Sequence, residues 1–134
     1  MTGYTVRPVG HVESTLTDRS AAPRQPDEGA PEAWLVLEDR YAAALDGLAP
    51  GDDLVLVTWL DRADRDTLTV HPRGDVTRPP AGVFATRSPD RPNPIGLHDV
   101  EIEEILGTRV RVRHLEAIDG TPILDLKPVL TQVR

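Results

Sequence analysis

The sequence contains no cysteine, and that one absence removes disulfides, thiolate metal sites and cysteine nucleophiles together. A cytoplasmic setting is the expectation that follows. No stretch approaches the roughly 18 apolar residues of a membrane span, and the N-terminus MTGYTVRPVG lacks the apolar core of a secretion signal, so a soluble protein is expected. Aromatic residues make up only 4%, which leaves few rings on which unpaired bases could stack. The net charge of −7 repels polyanions, and a nucleic acid would have to meet a local basic patch. No glycine-rich strand-to-helix fingerprint is present, which argues against a Rossmann-type nucleotide site. The histidines His11, His71, His98 and His114 show no metal-ligand spacing, so no metal is expected; they read as surface or turn residues, with His98 alone worth testing.

The 134 residues suit one domain spanning residues 1–134. Thr5 to Val12 reads as an irregular first strand with Pro8 at an edge or bulge. Ser14 to Glu32 is polar, proline-bearing and without period, hence a long surface loop. Ala33 to Leu37 (AWLVL) and Leu54 to Leu60 (LVLVTWL) are short apolar runs that read as buried strands. Between them a brief helix starts at Glu38-Asp39, turns Tyr41, Leu45 and Leu48 inward, and ends at Pro50-Gly51. Thr67 to Val70 and Gly82 to Thr86 read as further short strands, with loop from His71 to Ala81. Val100 to Leu106 and Thr108 to Leu115 form a hairpin around Gly107, with Val110 and Val112 on one face and Arg109, Arg111 and Arg113 on the other. Ile123 to Leu126 is the last strand. Short strands, one short helix, long loops and 13 prolines predict an all-β fold, a small closed or partly open barrel or a sandwich.

The densest chemistry lies in Gly82 to Gly96, GVFATRSPDRPNPIG. Pro89, Pro92 and Pro94 each lack a donor and restrict the residue before them, so the segment is a stiff, preset loop. It carries two fixed charges, Arg87 and Arg91, and the hydrogen-bonding side chains of Ser88 and Asn93, while Gly96 permits close backbone approach. From composition alone a binding site and a structural proline-rich turn are equally good readings.

This string, followed by Asp119-Gly120-Thr121-Pro122 and Asp125-Leu126-Lys127-Pro128, closely resembles the TrmO family, also called TsaA-like or VirR-like. Pro23-Arg24-Gln25-Pro26 matches the family's PRQ motif in the expected order. The resemblance spans Pro23 to Pro128 and implies a six- or seven-stranded barrel that acts as a homodimer and binds S-adenosylmethionine near the subunit interface. The family's best-known members methylate N6 of threonylcarbamoyl-adenosine in tRNA. Carried over motif by motif, cofactor contacts fall at Arg24, Gln25, Pro26 and Asp27, at Arg87, Ser88 and Leu97, and along Ile118, Asp119, Gly120 and Thr121, with Asp61 and Arg62 as further candidates in a stretch, Asp61 to Arg65, that reads first as a solvated strand exit. Family members often show histidines flanking the central strand where this sequence has Asp53 and Asp61, and longer relatives continue past the last motif.

Attack by a neutral nitrogen on a methyl carried by a sulfonium needs no metal and no covalent intermediate, so positioning should supply most of the acceleration. Asn93 and the carbonyls around Pro92 and Pro94 are candidate acceptors for the protons of an adenine-type amine, with Arg91 beside them as a second catalytic candidate. Asp119 could accept from the cofactor's ribose hydroxyls or ammonium, or merely form an Asp-Gly turn. The methyl acceptor is left open between tRNA and a small molecule, and a cofactor-binding protein without turnover is a third reading. Basic side chains for RNA could come from Arg73, Arg78, Arg87 and Arg91 or from the stripe Arg109, Arg111 and Arg113.

Overall fold

The computed structural model describes residues 3–17 and 32–130. Eight strands are present among them: β1 (Gly10–Glu13), β2 (Ala33–Leu37), β3 (Asp53–Trp59), β4 (Thr69–Val70), β5 (Ala81–Gly82), β6 (Ile95–Leu106), β7 (Arg109–Arg113) and β8 (Pro122–Pro128). Six of them close into an antiparallel ring in the order β1-β2-β7-β6-β3-β8, and β4 and β5 form a separate two-stranded ribbon. The all-β barrel expected from the sequence is therefore present. No helix among the described residues is long and apolar enough to cross a membrane.

Period-two alternation determines which side chains fill the ring. Along β2, Ala33, Leu35 and Leu37 are buried, along β3 Leu54 and Leu56, along β6 Val100 and Ile102, and along β7 Val110 and Val112. Val12, Leu115 and Ile123 complete this core. Each large aliphatic side chain so buried stabilises the fold by roughly 1.5–3 kcal/mol relative to exposure. The brief helix is a 3-10 helix, Asp39–Leu45, which packs Leu45, with Leu48 beyond it, against the core. The β6–β7 hairpin turns at Gly107, whose φ of 62° suits the left-handed geometry of a two-residue turn.

Several boundaries differ from the sequence reading. The first strand begins at Gly10 rather than Thr5, because only Gly10–Glu13 finds a partner in β2. β6 starts at Ile95, inside the segment read as loop, and pairs with β3 along Ile95–Glu101 before pairing with β7 from Glu101 onward. Its twelve residues serve two neighbours in turn. Val83–Ala85, read as strand, is a 3-10 turn with Val83 buried. The β3–β8 register shifts between Val57 and Thr58, a bulge at the polar end of the ring.

Candidate functional site

The β4–β5 ribbon, the proline-rich loop and the start of β6 enclose an open cavity of about 1310 Å³ against one end of the barrel. Its lining combines exposed apolar side chains (Val76, Phe84, Ile95 and Leu97) with charged ones. Phe84 and Val76 are 88% and 76% exposed, an uncommon disposition for the one phenylalanine of a chain so poor in aromatics.

Proline-rich loops have surplus carbonyls and too few N–H donors, and here arginines supply the missing donors. Arg91 donates from Nη1 and Nη2 to the Thr86 carbonyl at 3.1 and 2.9 Å, and from Nη2 to the Val83 carbonyl. Those bonds tie the loop to the 3-10 turn that precedes it, which is why strand pairing stops at Gly82. Arg65 donates from Nε to the Pro92 carbonyl at 2.7 Å and from Nη2 to Asn93 Oδ1 at 3.0 Å, and its guanidinium lies 5.1 Å from the Trp59 ring. The loop ends in fully buried Pro94, whose carbonyl accepts from Leu60 N at 2.8 Å.

Behind this loop a polar chain enters the barrel. Thr58, fully buried, lies 2.8 Å through its hydroxyl from His98 Nε2, and His98 Nδ1 lies 2.6 Å from Glu116 Oε1. His98 is 6% exposed, so the expectation of a surface or turn histidine is corrected: the alternation of β6 turns it inward with Gly96 and Val100. Gly96 is required there, since a Cβ at that position would sit 2.5 Å from Thr58 Oγ1 and 2.8 Å from His98 Nε2. Glu116 Oε2 is buried and has no hydrogen-bond partner among the described residues. Sequence reasoning did not single out Thr58 or Glu116. A hydroxyl at the inward parity of β3, after Leu54 and Leu56, was the available signal for Thr58; a lone glutamate after a strand gave none.

Of the cofactor contacts expected from the sequence, Asp61, Arg62, Arg87, Ser88, Leu97, Ile118 and Thr121 all line the cavity. Arg87 is exposed there and has no hydrogen-bond or ion-pair partner among the described residues. Asp119 and Gly120 are not part of the lining. Asp119 Oδ1 accepts from Ser14 N at 3.0 Å, Asp119 N donates to Leu16 O and Gly120 N to Val12 O, so this turn fastens the chain after β1 to the barrel. Gly120 has a φ of 85°, which favours glycine. Arg91 lines the cavity, whereas Asn93 is exposed outside it. Arg24, Gln25, Pro26 and Asp27 lie outside the described residues. Asp53 opens β3 away from the cavity.

The two basic features diverge. Arg73, Arg87 and Arg91 line the cavity, while Arg78 pairs with Asp75 at 3.5 Å. The β7 stripe is matched by acids: Arg109 pairs with Glu13, Arg111 with Glu32, Glu103 and Glu104, and Arg113 with Glu103 and Glu101. The hydrogen bond from Arg113 holds the Glu103 carboxyl below its ordinary range, and hydrogen bonds to Glu32 and Glu104 raise Arg111. No group of side chains among the described residues is arranged to hold a metal ion.

A small antiparallel barrel with a wide cleft at one end, walled by a proline-stiffened loop, defines a class of ligand-binding domain distinct from the parallel nucleotide-binding folds. Residues 11–133 match the tRNA-methyltransferase O N-terminal domain, and the chain belongs to that methyltransferase family. A probable S-adenosyl-L-methionine-binding protein of Methanothermobacter thermautotrophicus is 44% identical over 92% of this chain and 88% of its own length. An S-adenosyl-L-methionine-binding protein of Archaeoglobus fulgidus is 40% identical over 91% and 86%. The crystal structure of TrmO from Pseudomonas aeruginosa matches 96% of this chain with a TM-score of 0.75 at 30% identity, and this chain spans 57% of that one.

Proposed function

We propose that this protein binds S-adenosylmethionine in the cavity beside the proline-rich loop and transfers its methyl group to a nitrogen acceptor, an adenine N6 in tRNA. The observation that carries this reading is convergence: seven of the nine described positions that the sequence offered as cofactor contacts, scattered from Asp61 to Thr121, line one cavity. The lining also suits the group. Leu97, Ile118 and Phe84 offer apolar surface for a nucleoside, and Arg87 offers an unpaired cation for a carboxylate.

The bound cofactor supplies an activated methyl on a cationic sulfur. The protein's own residues hold the geometry. Arg91 keeps the loop closed on the Val83–Ala85 turn, and Arg65 fixes Asn93 and the Pro92 carbonyl. In this reading Asn93 Oδ1, outside the lining but two residues from the lining residues Arg91 and Ile95, accepts a proton from an amine held at the cavity edge through its second lone pair, Arg65 having taken the first. A second copy of the chain would cover the exposed Phe84, Val76 and Leu68 and make the homodimer that the resemblance implies.

One observation favours a second reading, a small-molecule acceptor. The β7 arginines are neutralised by glutamates and the chain carries −7, so little of the basic surface among the described residues is available to RNA beyond the cavity, where Arg87 lies. Transfer of labelled methyl to threonylcarbamoylated tRNA, followed by nucleoside analysis, separates the two. Label in adenine N6 supports the tRNA reading; cofactor binding without incorporation transfers the assignment to a small acceptor.

A further inference from the structure

Glu116 is a carboxylate at a cavity wall with one oxygen committed and the other idle. It lines the cavity between buried Leu115 and buried Ala117, and its side chain is 17% exposed. Its Oε1 is held by His98 Nδ1, and His98 Nε2 is engaged by Thr58 inside the barrel, so both ring nitrogens are used and the carboxylate is anchored through two strands. Its Oε2 is buried and unpartnered among the described residues. A buried carboxylate oxygen left without a donor is costly, and an N–H cation relieves it best because charge-assisted bonds are the strong ones.

Resting on the cofactor reading above, we propose that Glu116 receives the ammonium group of the cofactor's amino-acid tail, with Arg87 on the same cavity taking its carboxylate. The two side chains together make a zwitterion receptor, one unpaired cation and one half-used anion, both on the lining of one cavity. Asp119 is less suited to the task, since its Oδ1 is taken by Ser14 N and it lies off the lining. Presenting Oε2 to the ligand takes a tilt of the carboxylate about its Oε1–His98 contact, since rotation about the last side-chain torsion would move both oxygens together. The His98–Thr58 chain acts as the positioning element that holds Oε1 as the pivot of that tilt.

The test is calorimetric titration of S-adenosylmethionine, S-adenosylhomocysteine and 5′-methylthioadenosine, which lacks the amino-acid tail, into the wild type and Glu116→Gln. Glu116→Gln should weaken the first two at least tenfold and leave 5′-methylthioadenosine within twofold, a result that also shows the variant is folded. His98→Gln, which loosens Glu116 but keeps its charge, should give a smaller loss in the same pattern. Unchanged S-adenosylmethionine binding in Glu116→Gln would overturn the proposal, water then being the partner of Oε2. An equal loss for all three ligands would overturn it by making Glu116 a shaper of the cavity, and intact binding with lost methyl transfer would move it to the acceptor. Failure of the wild type to bind any of the three would strike the cofactor reading itself.

Discussion

Alanine at position 96 would place a Cβ 2.5 Å from Thr58 Oγ1 and 2.8 Å from His98 Nε2, with Leu60 Cδ2 at 3.3 Å. Gly96 faces Thr58 across the β3–β6 ladder, so the two backbones cannot part without breaking strand pairing. The side chains must give way instead, and the Thr58–His98 hydrogen bond is the contact that breaks. Overpacking at such a site costs typically about 1–3 kcal/mol, and the unsatisfied buried groups add about 1–3 kcal/mol more, so Gly96→Ala should destabilise by roughly 2–6 kcal/mol. Urea unfolding followed by tryptophan fluorescence reads this well, because Trp59 adjoins Thr58. Thr58→Ala removes the atom nearest the new methyl while leaving the His98 contact. The double variant should therefore be less destabilised than the sum of the single ones by at least about 1 kcal/mol, coupling of the size seen for residues in contact. A Gly96→Ala protein within about 0.5 kcal/mol of wild type, or strict additivity in the double variant, would refute the packing account.

Gly10→Ala should be at least as damaging, because its Cβ would lie 2.2 Å from the Val36 carbonyl and 2.8 Å from Leu37 Cα, both backbone atoms; thermal unfolding checks this. Arg87→Ala should lower S-adenosylmethionine affinity about tenfold while leaving the unfolding midpoint in place, since an exposed loop arginine can be removed without opening the core. Glu103 has a folded-state pKa depressed first by the Arg113 hydrogen bond, so its contribution is present above the unfolded carboxyl value and is lost as pH falls through the depressed one. Acid titration of stability should accordingly show a smaller loss on acidification in Arg113→Gln than in wild type.

Strands filled by simple alternation were legible. β2 coincides with the predicted Ala33–Leu37, and β7 buries Val110 and Val112 while its arginines face outward, as their parity required. The start of β6 was hidden because Pro92, Pro94 and Gly96 are loop-forming by type. Only the register with β3 shows that Pro94 is a buried strand lead-in and Gly96 a clearance for Thr58 and His98. Val83–Ala85 likewise carried strand-like residues, yet Arg91 draws the Val83 and Thr86 carbonyls to one guanidinium and curls the segment. Family motifs brought the scattered cavity residues to notice. The Thr58–His98–Glu116 chain has no such local signature, because it links three segments brought together only by barrel closure.

The most direct test of the central claim is a crystal structure of the chain grown with S-adenosylhomocysteine. The account predicts the nucleoside in the cavity between the proline-rich loop and the Ile118–Thr121 turn, in contact with Leu97 and with Arg87 on its carboxylate. Density at any other site, or saturating ligand with the cavity left open, would contradict it.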